Sequence, residues 1–339
     1  VGRDRPVGAT AKEDTMPDRR YAVFMDVDTG HDDAFAILLA ARHVDLLGIT
    51  TVSGNAPLAE TTANTLKILE LAGLAGVRVA AGMDRPLVEP PRHAPSIHGR
   101  TGLDGPDLPA PRMAPEPRHG VPFMIETVRA HPGCWIVATG PLTNVAVALR
   151  QAPDLKTHLA GISLMGGSTA GGNSTAAAEF NIYFDPEAAA VVFESGIPIR
   201  MVGLNLTRQA LVLDPEVARI RAVGSRLCTV AAELLEFYNR TAREVFGRPG
   251  GLLHDPCAVA WMIDPTLIEF QPMHVAVELT GTRTRGMTVC DFRYERGTAD
   301  RLREHAGIQA GEPPNAEVGM RLDRERFFDL LISTLASYR

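Results

Sequence analysis

The sequence lacks any apolar run of about 18 residues, so no segment reads as a membrane-spanning helix. It has only four cysteines, Cys134, Cys228, Cys257 and Cys290, and none forms a C-x-x-C pair. A disulfide scaffold is thereby excluded, and the expectation is reduced, buried thiols in a cytoplasmic protein. Basic runs are missing as well. With 34 Lys and Arg against 40 Asp and Glu, the formal net charge is −6, and nucleic acid is not the expected partner. The first 20 residues lack the apolar stretch of a signal peptide and read as a polar, mobile tail. Internal repeats, low-complexity tracts and a convincing linker are absent too.

What is present is an ordinary globular composition, 45% apolar and 22% charged over 339 residues. Such a chain can bury roughly three-quarters of its unfolded surface without staples. Strand-like and helix-like segments alternate from Tyr21 onward. Tyr21 to Val27 (YAVFMDV) is short, apolar and β-prone, and Asp32 to Arg42 is helical with acids in its first turn. A strand at Leu46 to Val52, a helix at Glu60 to Ala72 and a strand at Val77 to Ala81 follow. This order predicts an α/β domain over residues 21–339, with a mostly parallel central sheet flanked by helices. Residues 83–120 interrupt the alternation with Pro, Gly, His and Arg; irregular chain of that length in a compact domain is functional or mobile.

The pattern then resumes. Phe123 to Ala130 reads as a helix, Cys134 to Ala138 as a strand and Thr143 to Arg150 as a helix. Gly161 to Met165 is a strand that runs into GGSTAGGN, followed by a helix at Pro186 to Ser195 and a strand at Ile199 to Leu204. Pro215 to Phe246 reads as helical throughout, and another helix follows His254-Asp255-Pro256. Val275 to Thr280 and Gly286 to Phe292 read as a late strand pair, and Arg324 to Leu335 as the closing helix.

The most informative segment is DVDTGHDD, which sets Asp26, Asp28, Asp32 and Asp33 within eight residues. Asp26 and Asp28 leave a strand's C-terminal end on the same side, and Asp32 and Asp33 open a helix whose dipole favours anions. Ligands of parallel α/β sheets bind at that end of the strands. Carboxylates converging there repel one another unless a cation neutralises them, and hard oxygen ligands suit Ca²⁺ or Mg²⁺ better than zinc. An EF-hand loop also begins D-x-D-x-G, but its twelfth position must be Glu and here is Ile37. A phosphatase of the haloacid dehalogenase type would use Asp26 and Asp28 but leave Asp32 and Asp33 unexplained, and its downstream acid pair is missing. GGSTAGGN has neither the spacing nor the Lys of a phosphate-binding loop.

DVDTGHDDAFAILLA resembles the N-terminal signature of the inosine-uridine-preferring nucleoside hydrolases. The resemblance continues in order through TTVSGN, IHGRTGLDGP, TGPLTN, LMGG, GGN, AEFNIYFDPEAA and LHDPCAVAW. It implies a nucleoside hydrolase fold with a Rossmann-like core and one Ca²⁺ at the strand ends. By that resemblance Asp28, Asp33, the Thr139 carbonyl and Asp255 hold the metal, with Asp26 as a supporting acid behind them. Asp28 also activates water, and Asp32 holds a ribose hydroxyl. Asn55, Asn173, Glu179 and Asn181 match ribose contacts, Met165 a residue beneath the sugar and Phe180 one beside it. His254 matches a histidine on the base side, and His98 resembles a second one in members that take pyrimidines. His31, inside the acid motif, supports these groups or faces solvent.

The implied activity is Ca²⁺-dependent hydrolysis of ribonucleosides to free base and ribose. A metal-activated water attacks an oxocarbenium-like centre, with Asp28 as general base. The alternatives are a hydrolase of another N-riboside on this fold, or a non-catalytic, metal-dependent ribosyl-binding protein. The family also implies a homo-oligomer, dimer or tetramer. One departure stands out: where members often carry two tyrosines before H-D-P, this chain has Ala242 and Phe246. The aromatic body survives at Phe246, but the hydroxyls do not. Trp135 and Trp261 fall in core elements, so stacking of a base on tryptophan is not expected.

Overall fold

Val23, Met25 and Val27 join one apolar core, while Phe24 between them joins another. A strand that is apolar on both faces needs cover on both, which is the situation of a parallel sheet between helical layers. The computed structural model describes residues 20–291, 293 and 311–338. Its strands are β1 (Ala22–Val27), β2 (Asp45–Thr51), β3 (Val79–Ala81), β4 (Cys134–Ala138) and β5 (Leu159–Met165). They continue with β6 (Ile199–Val202), β7 (Ile268–Val277), β8 (Thr288–Asp291) and β9 (Ala316–Leu322). All lie in one sheet of order β3-β2-β1-β4-β5-β6-β9-β7-β8. Every pair from β3 to β9 is parallel, and β7 and β8 close that edge antiparallel.

One core packs the sheet against helices His31–His43, Arg226–Phe246, Pro256–Ile263 and Arg324–Ala336. The other packs it against Gly120–Ala130, Thr143–Gln151 and Pro186–Phe193. The chain leaves β1 toward β2 and β3, then returns to place β4 on the other side of β1. This reversal opens a crevice at the carboxyl ends of β1 and β4, the usual ligand position in such sheets. Asp26 lies at that end, in the last pair with β4 opposite Ala138 and one pair before the last with β2 opposite Thr50.

The structure differs from the sequence reading in four places. Pro215 to Phe246 is two helices, Asp214–Ala222 and Arg226–Phe246, because Gly224 takes φ 77° and Ser225 caps the second through Cys228 N–H at 3.2 Å. The expected strand Ile199 to Leu204 stops at Val202, and Leu204–Thr207 is helical. β7 begins at Ile268, ahead of the expected Val275; Pro272 inside it obscured the pattern. β9 was not anticipated, although it lies inside the sheet between β6 and β7. Between residues 83 and 120 the chain is irregular apart from the short helix Pro95–His98 and the start of Gly120–Ala130. The expected tail residues 1–19, and Phe292 at the end of the late strand pair, lie outside the described residues.

Candidate active site

Asp26, Asp28, Asp32, Asp33 and Asp255 are all buried. Among the described residues no lysine or arginine forms an ion pair with any of them. Asp26 Oδ1 accepts from Thr50 Oγ1 and Asn144 Nδ2, both at 2.7 Å, while Oδ2 has no partner. Burial nonetheless pushes this carboxyl up to about 7. Asp33 Oδ2 accepts from Gly30 N–H at 2.9 Å and Asn55 Nδ2 at 3.2 Å, and its Oδ1 from Thr139 Oγ1 at 2.7 Å. Asp28 Oδ2 accepts from Asn55 N–H at 2.7 Å, but its Oδ1 is buried with no partner.

Ligand oxygens of Asp32, Asp33 and Asp255 lie within 4.8 Å of one another. Burial, then the charge of Asp33, raises Asp32 to about 7 and Asp28 well above the carboxylate range. Burial and then Asp32 raise Asp255 likewise. This is the electrostatics of a site designed around a cation. Three convergent buried carboxylates, an orphaned Asp28 oxygen and no internal counter-charge fit a divalent ion with oxygen ligands. The convergent trio differs in one respect from the sequence expectation: it contains Asp32, expected on the sugar, while Asp28 stands next to it.

Two glycines hold Asp28 in place. A Cβ on Gly54 would collide with Asp28 Oδ2, and one on Gly140 would come within 2.9 Å of Oδ1. The SGN and TGP segments are therefore short of side chains where the carboxylate must fit. Gly54→Ala is expected to lower kcat/KM by about 10²-fold through displacement of Asp28. Steady-state kinetics check this, and unchanged kinetics would mean that the glycine does not set the position of Asp28.

Above the acids lies a cavity of about 570 Å³. Asp32, Thr139 and Asp255 form part of its floor, while Asp28 and Asp33 lie beneath. Asn55, Met165, Asn173, Glu179, Phe180 and Asn181, the residues matched to sugar contacts in the sequence, all line it. Asn181 donates through Nδ2 to the carbonyls of Thr139 at 2.7 Å and Met165 at 3.0 Å, which leaves its Oδ1 as an acceptor. The Thr139 carbonyl keeps a second lone pair for a ligand. Glu179 is neither a surface acid nor free: it accepts from the N–H groups of Gly167, Asn181 and Ile182 at 2.9, 3.0 and 3.1 Å and caps helix Phe180–Phe184. Burial raises it to about 7 against those bonds. Asn173 has no left-handed backbone.

His98, Phe246 and His254 line the same cavity, with Ala242 and Tyr238 on the helix face that carries Phe246. The Tyr238 hydroxyl is spent on the Leu252 carbonyl at 3.2 Å. His254 Nδ1 pairs with Thr207 Oγ1 at 2.7 Å, and burial with Arg248 and Arg208 nearby lowers it to about 3. His31 is fully buried, and its Nε2 lies 2.7 Å from the Asp104 carbonyl. A carbonyl only accepts, so Nε2 carries the proton. His98 Nδ1 accepts from the His31 backbone N–H at 3.4 Å and lies 3.3 Å from His31 Nδ1. Trp135 and Trp261 meet edge to face away from the cavity, with centroids 5.0 Å apart and planes at 68°.

A family model described as inosine-uridine preferring nucleoside hydrolase matches residues 23–329. The chain belongs to that family. As a nucleoside hydrolase it acts on the N-glycosidic bond of ribonucleosides. The pyrimidine-specific ribonucleoside hydrolase RihA of Shewanella sp. (strain ANA-3) is 42% identical over 320 residues, covering 93% of this chain and 96% of that protein. RihA of Citrobacter koseri is also 42% identical, over 93% of this chain and 98% of its own. Among solved structures, the purine-preferring ribonucleoside hydrolase from Gardnerella vaginalis matches with a TM-score of 0.84 at 32% identity, covering 94% of this chain and 98% of that one. In the described residues of this nucleoside hydrolase no helix is long and apolar enough to cross a membrane.

Several groups at the nucleoside hydrolase cavity escaped the sequence reading. Arg92 donates to Tyr183 Oη at 2.8 Å, and both line it. Arg208 and Arg248 line it as well. No local spacing announces any of them; they arrive from separate loops.

Proposed function

We propose that this nucleoside hydrolase depends on Ca²⁺ and hydrolyses pyrimidine ribonucleosides to free base and ribose. The orphaned, buried Asp28 oxygen beside the convergent trio carries the reading. Asp28, Asp33, Asp255 and the Thr139 carbonyl would hold the ion, with Asp32 on a ribose hydroxyl beside it. Bound Ca²⁺ would acidify water and offset the repulsion among the carboxylates. Asp28 accepts the proton of the attacking water. The acidic floor stabilises the positive charge that develops on the ribosyl ring. Asn55 orients Asp28 and Asp33, while Asn173, Glu179 and the free Oδ1 of Asn181 position the sugar.

On the base side, burial lowers both His98 and His254, so each is a neutral hydrogen-bond partner and not a cationic acid. The neutral imidazole of His98 offers a ring nitrogen to the polar edge of a uracil or cytosine base. The pyrimidine preference also takes support from the names of the 42%-identical relatives. A panel of common nucleosides tests it: kcat/KM for uridine or cytidine should exceed that for inosine and adenosine by at least about tenfold. Faster turnover of a purine nucleoside would reject the preference. No ribose from any nucleoside in the presence of calcium would reject the activity.

A further inference from the structure

The cavity floor is acidic, but the wall on the base side carries positive charge. Arg248 follows helix Arg226–Phe246 directly, after Gly247 at φ 62°. Its backbone is fixed. Arg248 N–H donates to the Ala242 carbonyl at 3.2 Å, and the next turn is held by Gly251 N–H to Asn239 Oδ1 at 2.8 Å. Its side chain is not. The guanidinium lies 4.3 Å from the Phe246 ring centroid, half-buried on the cavity wall, and its buried Nε has no acceptor. No carboxylate pairs with it among the described residues. Arg208 donates one N–H to the Gly172 carbonyl at 2.9 Å and also has no carboxylate partner there. Two like charges close enough to act on each other, both facing a cavity and neither neutralised, make a site for negative charge.

Resting on the proposed nucleoside hydrolysis, we infer that Arg248 is a catalytic residue that stabilises the departing base as an anion. When the C1′–N bond breaks, both electrons leave on the base nitrogen and spread onto the ring carbonyl oxygens. The Arg248 N–H groups donate to that anion. The water oxygen forms the new bond to C1′, its proton passes through Asp28 to solvent, and the released base takes a proton from solvent. This gives the chain the leaving-group assistance that Ala242 and Phe246 cannot supply. It also explains why a charged donor is kept unpaired: N–H groups with no partner in the resting enzyme are available to the charge that develops on the base.

The test uses Arg248→Gln, Arg248→Lys and Arg248→Ala in the full chain with calcium, each checked for an unchanged thermal midpoint. Substrates are the nucleoside that wild type cleaves fastest, 4-nitrophenyl β-D-ribofuranoside, and uridine 5′-monophosphate. Arg248→Gln should lose about 10²-fold in kcat on the nucleoside. It should lose far less on the nitrophenyl riboside, whose leaving anion is stable unaided. Arg248→Lys should recover part of the loss, and guanidinium ion added to Arg248→Ala should recover activity in proportion to its concentration. Equal losses on both ribosides, or no loss on the nucleoside, would overturn the assignment. So would an Arg248-dependent preference of wild type for the monophosphate, which would put the guanidinium at the 5′ end. Wild-type ribose release from the first two substrates tests the parent reading separately.

Discussion

Asp28→Ala is expected to lower kcat by about 10³–10⁴-fold, with a much smaller change in KM, because in the proposed mechanism the general base and a metal ligand leave together. The expectation rests on how the carboxylate is held. One oxygen accepts the Asn55 N–H at 2.7 Å, and the other is buried and unpartnered. A purely structural carboxylate in this position would be anomalous, since a buried acceptor without a partner costs about 1–3 kcal/mol. Gly54 and Gly140 press against it from two sides, so its position is defined by packing as well as by hydrogen bonding. Asp28→Asn separates the roles: it keeps the shape but accepts no proton, and should be as inactive as alanine. Its thermal midpoint without metal should not fall, because a buried like charge has been removed. Single-turnover kinetics on folded variants check both; a near-normal kcat in either removes Asp28 from the base role.

Much of the fold and part of the site were legible in the sequence, for a physical reason. Asp26, Asp28, Asp32 and Asp33 come from one strand and the helix that follows it. Local chain geometry alone puts them on the same rim. Asp255 is different: it reaches the cluster from the N-terminal end of helix Pro256–Ile263, more than 200 residues later in the chain, and only resemblance to a family pointed to it. The strands of the first half read clearly because both their faces are apolar. β9 did not, because Glu317 and Arg321 are exposed and Gly319 breaks its pattern. The base side was least legible. Thr207, Arg208 and Arg248 gather around His254 through tertiary contacts and lie in no motif, and the bond from His31 to the Asp104 carbonyl joins two motifs that sit 73 residues apart. Glu179 shows the same limit in another form: the resemblance matched it to a ribose contact but gave no sign that its oxygens also accept three backbone N–H groups at a helix N-terminus.

Removing divalent metal with EDTA should abolish turnover, and Ca²⁺ should restore it. The larger signal lies in stability and its pH dependence. At a thousandfold excess over Kd, an ion that binds only the folded state adds about 4 kcal/mol, roughly 6 °C in Tm for a chain of this size. The sign with pH follows from the directions of the shifts. Burial raises Asp26, Asp32 and Glu179 to about 7 in the folded protein from ordinary values of 3.8, 3.8 and 4.5. Acids raised on folding bind more protons folded than unfolded. Their stabilising contribution is therefore complete below about pH 4 and is lost as pH rises to about 7. The metal-stripped enzyme should lose Tm across that window. Asp26 and Glu179, away from the ion, titrate in both forms and cancel from the comparison. Asp28, Asp32, Asp33 and Asp255 do not cancel, because protons and Ca²⁺ compete for the same oxygens. The Tm gap between loaded and stripped enzyme should thus widen steadily from pH 5 to pH 8, as differential scanning calorimetry at fixed free Ca²⁺ can measure. A gap that stays constant over this range would mean that the ion binds elsewhere, and full activity after chelation would mean that these carboxylates serve the reaction without it.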